Sequence, residues 1–108
     1  MKIVKDQPAR QYELTYLIAS DLTETEISKL QQTVQDLVKK HQGKIIETED
    51  WGKKTLAYKL KKAGKIFTTA VYTHLVIELP PGQAQELEKQ LHLTDQIIRH
   101  LLITKESK

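Results

Sequence analysis

The sequence predicts an α+β fold with elements in the order strand, helix, strand, strand, helix, strand. The hydrophobic period changes from two residues to three or four and back again along the chain. Turn and cap residues mark those changes, at Gly43, at Gly64 and at Pro80 with Pro81. The length of 108 residues, with 39% hydrophobic and 29% charged, suits one domain. We expect that domain over residues 10–104, after a flexible leader at 1–9 and before a short tail at 105–108.

The first half of the chain predicts a strand followed by a helix. Four apolar side chains alternate with other residues, which is the period of a strand with one apolar face: Tyr12, Leu14, Tyr16 and Ile18. From Thr23 the spacing becomes three and four, as on one face of a helix: Ile27, Leu30, Val34, Leu37, Val38 and His41. Thr23 and Glu26 have the spacing of a capping box, and Gly43 is a plausible terminating residue.

The second half predicts a long hairpin, a helix and a closing strand. Extended segments from Lys44 to about Tyr58 and from Phe67 to Leu79 flank a turn at Gly64. In the second segment one face is apolar and the other mixed, with the apolar set being Phe67, Val71, Leu75, Ile77 and Leu79. A second helix is expected from Pro81 to about Leu91, and a last strand over Ile97 to Thr104. This order is the ferredoxin-like βαββαβ pattern, a four-stranded antiparallel sheet with both helices on one face and the other face left for a partner.

Charge is strongly segregated behind a net value of +3. Residues 51–77 contain no acid and six lysines, namely Lys53, Lys54, Lys59, Lys61, Lys62 and Lys65. Such a run is typical of a surface that binds phosphate. It is also typical of a solvated run that protects a strand edge, so charge alone leaves both interpretations open.

Several classes of chemistry find no support in the sequence. The absence of cysteine excludes disulfides, thiolate metal sites and cysteine nucleophiles, and suits a reducing cytosolic setting. No apolar run has the roughly 18 residues of a membrane helix, and the first residues do not form a signal peptide. The four histidines lack metal-ligand spacing, and the glycines form no phosphate loop. We therefore predict a cytoplasmic protein that is not an enzyme and has no metal, cofactor, membrane partner or small-molecule substrate.

Aromatic residues suggest a core and a possible contact surface. Tyr12 and Tyr16 share the apolar face of the first strand and are expected in the core. Tyr72 shares the mixed face with His74 and could contact a partner, while Trp51 either packs under the hairpin or anchors an interface. The segment 68–76 does not match the third strand of an RNA-recognition motif, so a base-stacking platform is not favoured.

A family resemblance is carried by the string Glu-Asp-Trp-Gly-Lys-Lys-Thr-Leu-Ala-Tyr over residues 49–58. It resembles the Asp-Trp-Gly-basic-basic-x-Leu-Ala-Tyr signature of the bacterial small-subunit ribosomal protein six family. Residues 10–13 resemble the opening strand of that family, and residues 94–99 its entry into the final strand. The resemblance implies a ferredoxin-like structural constituent of the small ribosomal subunit. It also implies binding to the central domain of small-subunit ribosomal RNA, cooperatively with small-subunit ribosomal protein eighteen.

The resemblance and the charge map together predict contact residues. RNA contacts are expected at Arg10, Lys53, Lys54, Tyr58, Lys59, Lys61, Lys62 and Arg99. Contacts with the protein partner are expected at Trp51, Tyr72 and His74. The sequence departs from the family in the long hairpin, in the long leader and at Lys59, where many relatives have proline.

Two other functions fit the fold class. The first is a ferredoxin-like module for protein interaction or small-ligand regulation that carries a basic hairpin. The second is an acylphosphatase-like enzyme, which would want an anion-binding loop and an Arg and Asn pair, and this chain contains no Asn.

Overall fold

The computed structural model describes residues 10–105 and confirms the predicted order of elements. The elements are β1 (Arg10–Ala19), α1 (Glu24–Lys40), β2 (Lys44–Lys62), β3 (Lys65–Leu79), α2 (Pro81–His92) and β4 (Ile97–Thr104). The strands form one antiparallel sheet in the order β2-β3-β1-β4. The leader predicted at 1–9 and most of the predicted tail lie outside the described residues.

The main core lies between the two helices and one face of the sheet. Buried side chains of both helices pack against alternating residues of β1 and β3, among them Leu14, Tyr16, Val34, Val38, Leu75, Ile77, Leu87 and Leu91. The helices therefore share one face, as the sequence predicted, and the alternation in β1 is confirmed. Burial of these apolar side chains is the main source of stability for a domain of this size.

Tyr16 carries a buried polar group within this core. Its hydroxyl is fully buried and has no hydrogen-bond partner between residues 10 and 105. The nearby Thr73 hydroxyl instead accepts a 3.0 Å bond from the Gln31 side-chain amide. Burial raises the pKa of Tyr16 well above its usual value, the Thr73 side chain lowers it in part, and the charge of Asp50 raises it further.

Helix α1 begins with the predicted capping box. The Thr23 hydroxyl accepts from the Glu26 amide at 3.2 Å, and the Glu26 carboxylate accepts from the Thr23 amide at 2.9 Å. The helix ends in a Schellman motif, in which the Gly43 amide donates to the Val38 carbonyl at 2.8 Å. Gln42 takes the left-handed conformation there, with φ of 67°.

The prediction that Gly43 helps to end α1 is confirmed. This residue does not supply the left-handed conformation that ends the helix. It supplies space, because a Cβ atom at Gly43 would lie 2.7 Å from Val38 Cγ1 and 3.1 Å from the Glu78 carbonyl oxygen. The glycine therefore allows the end of α1 to approach β3 closely.

The β2–β3 hairpin is longer than the sequence indicated, and its strands pair as far as Lys62 with Lys65. Ala63 and Gly64 form the two-residue turn with φ of 52° and 81°, as in a type I′ turn. Pairing is interrupted between Thr55 and Leu60, where four residues of β2 stand opposite the single residue 68 of β3. Such an excess on one strand bends it and increases its twist.

The hairpin covers part of the sheet face that carries no helix, which we call the open face. Four residues are buried on this side, Leu17, Ala19, Ala70 and Ile98, and partly buried Leu56, Leu60, Phe67 and Tyr72 pack against them. The prediction that Phe67 belongs to the main apolar face is therefore wrong, because the irregular, twisted hairpin places it with this second cluster. The open face remains uncovered over the part that lies away from the hairpin turn.

Candidate nucleic-acid interface

The distal part of the hairpin, residues 53–65, gathers the six lysines along about a dozen positions and is called the lysine hairpin here. Lys53, Lys54, Lys59 and Lys61 are all exposed. Lys65 is also exposed, and its ammonium lies 3.5 Å from the Asp21 carboxylate. Antiparallel pairing already orders much of the hairpin backbone. The ammonium groups can therefore contact a polyanion with little further loss of backbone conformational entropy.

Lys62 differs from the other five lysines because it is partly buried and makes specific bonds. Its ammonium donates to the His92 carbonyl at 2.9 Å and to the Ile97 carbonyl at 3.0 Å. These acceptors flank the connection between α2 and β4. Lys62 therefore fastens the end of the hairpin to the α2–β4 connection, a contact between residues about 30 positions apart that no local sequence pattern predicts.

A groove on the open face brings together three of the predicted contact residues, Tyr58, Tyr72 and Arg99. It has a volume of about 330 Å³ and lies between the hairpin and β4, with Leu17, Leu56, Leu60 and Leu101 also lining it. Tyr58 lies within the interrupted pairing and is 82% exposed. Apolar walls beside an exposed phenol and a guanidinium suit a ligand with flat, partly apolar groups and negative charge.

Leu101 is a groove residue that the sequence analysis did not single out. The final strand was interpreted only as a generally apolar segment. In the structure Leu101 is 58% exposed on the open face, while Leu102 packs on the core side. The alternation within β4 was the signal that could have identified it.

Trp51 and His74 stack on the open face. Their ring centroids are 4.8 Å apart and the planes are inclined by only 7°. The indole nitrogen donates to the Glu49 carboxylate at 2.8 Å, and Thr15 Oγ1 is hydrogen-bonded to His74 Nδ1 at 2.9 Å. Trp51 keeps 43% of its surface exposed, so it is not packed under the hairpin.

Arg10 lies far from the other predicted RNA contacts. It pairs with Leu79 at the start of β1, whereas Arg99 pairs with Leu17 seven positions further along that strand. Seven residues of extended strand span about 24 Å. The structure therefore collects Arg99 with the hairpin residues but leaves Arg10 at the opposite end of the sheet.

The histidines His41, His74 and His100 each make their own local contacts and do not form a cluster. The His41 ring bonds to the Leu37 carbonyl at 2.9 Å, and His100 Nε2 lies 3.1 Å from Glu88 Oε1. Over the described range 10–105, no group of three or more His, Cys, Asp or Glu side chains could hold a metal ion. No helix within that same range is long and apolar enough to cross a membrane.

The sheet order and the two helices on one face put this molecule in the class of ferredoxin-like α+β proteins, here with an exposed basic hairpin beside an apolar groove. Comparison with known proteins specifies the family. A family model described as Ribosomal protein S6 matches residues 11–104. The chain belongs to the ribosomal protein S6 family, which confirms the resemblance seen in the signature at 49–58.

Individual relatives agree with this assignment. The chain is 35% identical over 92 residues to small ribosomal subunit protein bS6 of Zymomonas mobilis subsp. mobilis, covering 85% of this chain and 71% of that protein. It is 31% identical to the bS6 protein of Desulforudis audaxviator, covering 87% and 96%. The crystal structure of 30S ribosomal protein S6 from Thermotoga maritima superposes with a TM-score of 0.81 at 30% identity, covering 90% of this chain and 88% of that one. As a family member, the chain is a structural, non-enzymatic protein of the small ribosomal subunit, a cytoplasmic particle.

Proposed function

We propose that this protein binds the central domain of small-subunit ribosomal RNA, cooperatively with small-subunit ribosomal protein eighteen. The observation that carries the proposal is the lysine hairpin, an acid-free and largely exposed segment in a protein of this family. Lysine ammonium groups there would engage phosphates and release condensed counterions. The alternative interpretation, a run that only protects a strand edge, does not account for Arg99 and Tyr58 beside the same segment.

The proposed RNA contacts divide into two groups. Lys53, Lys54, Lys59 and Lys61 would supply phosphate contacts, with Tyr58 and Arg99 in the adjoining groove. Arg10 would make a separate contact at the other end of the sheet. Lys62 as an RNA contact stays a prediction, and a phosphate there would compete with two carbonyl acceptors. Trp51, Tyr72 and His74 are proposed to face the protein partner on the open face.

Shape and charge, together with the partner protein, would locate this chain on the RNA. Phosphate contacts fix position and orientation but carry no base sequence. Double-stranded RNA is recognised mainly by its shape and its backbone. We therefore place specificity in the pair of proteins, and affinity for phosphate in the lysine hairpin.

The proposal is tested by titrating a central-domain RNA fragment with the protein at several salt concentrations, with and without ribosomal protein eighteen. Engagement of about five phosphates gives a slope of log affinity against log salt of roughly −3 to −5. The double variant Lys53→Ala and Lys54→Ala should reduce the magnitude of that slope by about 2. Lys39→Ala with Lys40→Ala, which removes two exposed charges from the end of α1, is the matched control and should leave it unchanged.

The outcomes distinguish the alternatives clearly. Tight binding only in the presence of the second protein supports the cooperative pair. Binding of equal strength without it refutes cooperativity, and a flat salt dependence refutes phosphate contacts as the source of affinity.

A further inference from the structure

One edge of the sheet, along β4, is open to a further strand. In the order β2-β3-β1-β4 this strand pairs with β1 on one side, and no strand within residues 10–105 pairs with its other side. The Lys105 amide donates to the Gln11 carbonyl at 2.8 Å, so the odd-numbered residues of 99–103 also direct their backbone groups to β1. The residues between them direct their amides and carbonyls outward, and we call this row, His100, Leu102 and Thr104, the free edge.

The two edges of the sheet differ in how they are protected. The other edge strand, β2, contains many charged side chains, and its pairing is irregular at three places. Charges and bulges are the usual means by which an exposed edge avoids pairing with another chain. The strand β4 has neither lysine nor proline, and Arg99 is its only permanently charged residue. The free edge therefore lacks the protection that β2 has.

Exposed apolar side chains accompany the free edge. Leu101 and Ile103 point to the open face, where they are 58% and 47% exposed. The strand supplies one cation for a polyanion and no carboxylate for a cationic segment. The chemistry that fits this edge is thus that of an extended apolar strand, which gains backbone hydrogen bonds and buries the apolar row.

We propose that the occupant is the same edge of a second copy of this chain. The two β4 strands then pair antiparallel about a two-fold axis and join two four-stranded sheets into one sheet of eight strands. In the register that we infer, Leu101 lies opposite Leu101 of the second copy at the axis. Arg99 lies opposite Ile103 of the second copy, so the two guanidinium groups stay at the ends of the apolar row. This inference does not depend on RNA binding.

Neighbouring registers are less favourable because they bring like groups together. The outward backbone groups meet only when the pairing moves in steps of two positions along the chain. One step sets His100 opposite His100 of the second copy. A step the other way sets Arg99 opposite Lys105, and like charges directly opposite one another are destabilising.

Charge on helix α2 is compatible with the same axis. A shallow groove of about 460 Å³ beside β4 is lined by His100 and by one side of α2. Along this side, Glu86 and Glu88 come first and are followed by Lys89 and His92. The axis sets α2 beside its copy in the opposite direction, so the acids of one copy approach the cations of the other. This complementarity favours a second copy over a partner of single charge.

Sedimentation equilibrium of the full chain without RNA tests the dimer. Because a small interface is weak, the titration covers about 5 µM to about 1 mM, and the mass should rise from that of one chain to that of two. Leu101→Lys places a charge at the axis and should raise the dissociation constant at least tenfold. Ile46→Lys is the matched control, because Ile46 is 42% exposed on the other edge strand, and it should change the constant less than twofold.

Single cysteines test the register, since the chain has none of its own. In a pair without backbone hydrogen bonds the Cα atoms lie about 4.5 Å apart, which permits a disulfide. A mixture of Arg99→Cys and Ile103→Cys under mild oxidation should therefore form a disulfide-linked dimer at least tenfold faster than either variant alone. In each variant alone the two cysteines lie four positions apart along the strands, about 13 Å.

Circular dichroism of each variant establishes that it is folded. A mass of one chain over the whole concentration range overturns the inference, as does a dimer that Leu101→Lys leaves as tight as before. Equal rates of disulfide formation in the mixture and in the separate variants overturn the register and the two-fold pairing with it. None of these measurements contains RNA, so the proposed function is judged separately by its salt titration.

Discussion

Removing the Lys62 ammonium tests whether this side chain holds the hairpin against the rest of the domain. Lys62→Met keeps most of the aliphatic stem but removes both bonds to the carbonyls of His92 and Ile97. Lys61→Met is the control, because Lys61 is an exposed neighbour on the same strand without a hydrogen bond or ion pair to any residue in the range 10–105.

The magnitude follows from two charge-assisted bonds. Hydrogen bonds that involve a charged group contribute about 1.5 to 3 kcal/mol each. Ordering a lysine side chain costs up to about 2 kcal/mol of rotamer entropy. The bond to His92 is solvent-exposed, and water can replace part of it. The net contribution of the two bonds, after subtraction of the rotamer entropy, is therefore expected at its lower end, so Lys62→Met should lower the free energy of unfolding by about 1 to 2 kcal/mol. For a domain of this size that corresponds to a fall in Tm of about 5 to 15 °C.

Urea unfolding followed by fluorescence measures this loss directly. Trp51 is the only tryptophan, and its stack on His74 makes it a reporter of hairpin structure. If the free energy of unfolding of Lys62→Met lies within about 0.5 kcal/mol of that of Lys61→Met, which is the range of ordinary surface substitutions, the fastening role is refuted.

Two further predictions concern packing at single positions. Gly43→Ala should lower the free energy of unfolding by about 1 to 3 kcal/mol, because its Cβ atom would overlap the end of α1. Gly82→Ala, where nothing lies within 4 Å, should be neutral or stabilising, and comparable urea midpoints for the two variants would contradict the packing argument. Tyr16→Phe should keep or raise stability at pH 7, since it removes a buried hydroxyl without a partner. The raised pKa of Tyr16 also makes the folded state lose stability as the pH rises above about 10, where the unfolded tyrosine ionises first. Urea midpoints measured from pH 7 to 11 should therefore fall less steeply for Tyr16→Phe, and parallel curves would show that this hydroxyl does not contribute.

The elements themselves were predictable because their signals are local. The alternation in β1, the capping box of α1 and the proline that begins α2 each depend on residues within a few positions of one another. Periodicity and cap chemistry therefore led to the correct fold without knowledge of any tertiary contact.

The contact surfaces depend on pairings between distant segments. The stack of Trp51 on His74 requires the register of β2 against β3, which is shifted twice between Ile45 and Gly52. Glu13 and Glu47 flank the same residue of β3, Val76, and this placement depends on the strand order of the sheet. Phe67 was assigned to the wrong face because simple alternation does not allow for an interrupted and twisted hairpin. Such shifts are set by packing across the sheet, and a single sequence contains no direct record of them.

The separation of charge in this molecule has a consequence for how fast it can find its ligands. Val76, opposite Glu47, lies eleven positions along β3 from Lys65 at the hairpin turn, which is about 36 Å of strand. At physiological ionic strength fields are screened over about 8 Å, so neither end cancels the field of the other. The hairpin lysines therefore act on an approaching polyanion as a positive patch of their own. A polyanion meets the hairpin first in a larger share of encounters, which raises the association rate constant, and loss of a hairpin lysine should act on that rate more than on the lifetime of the complex.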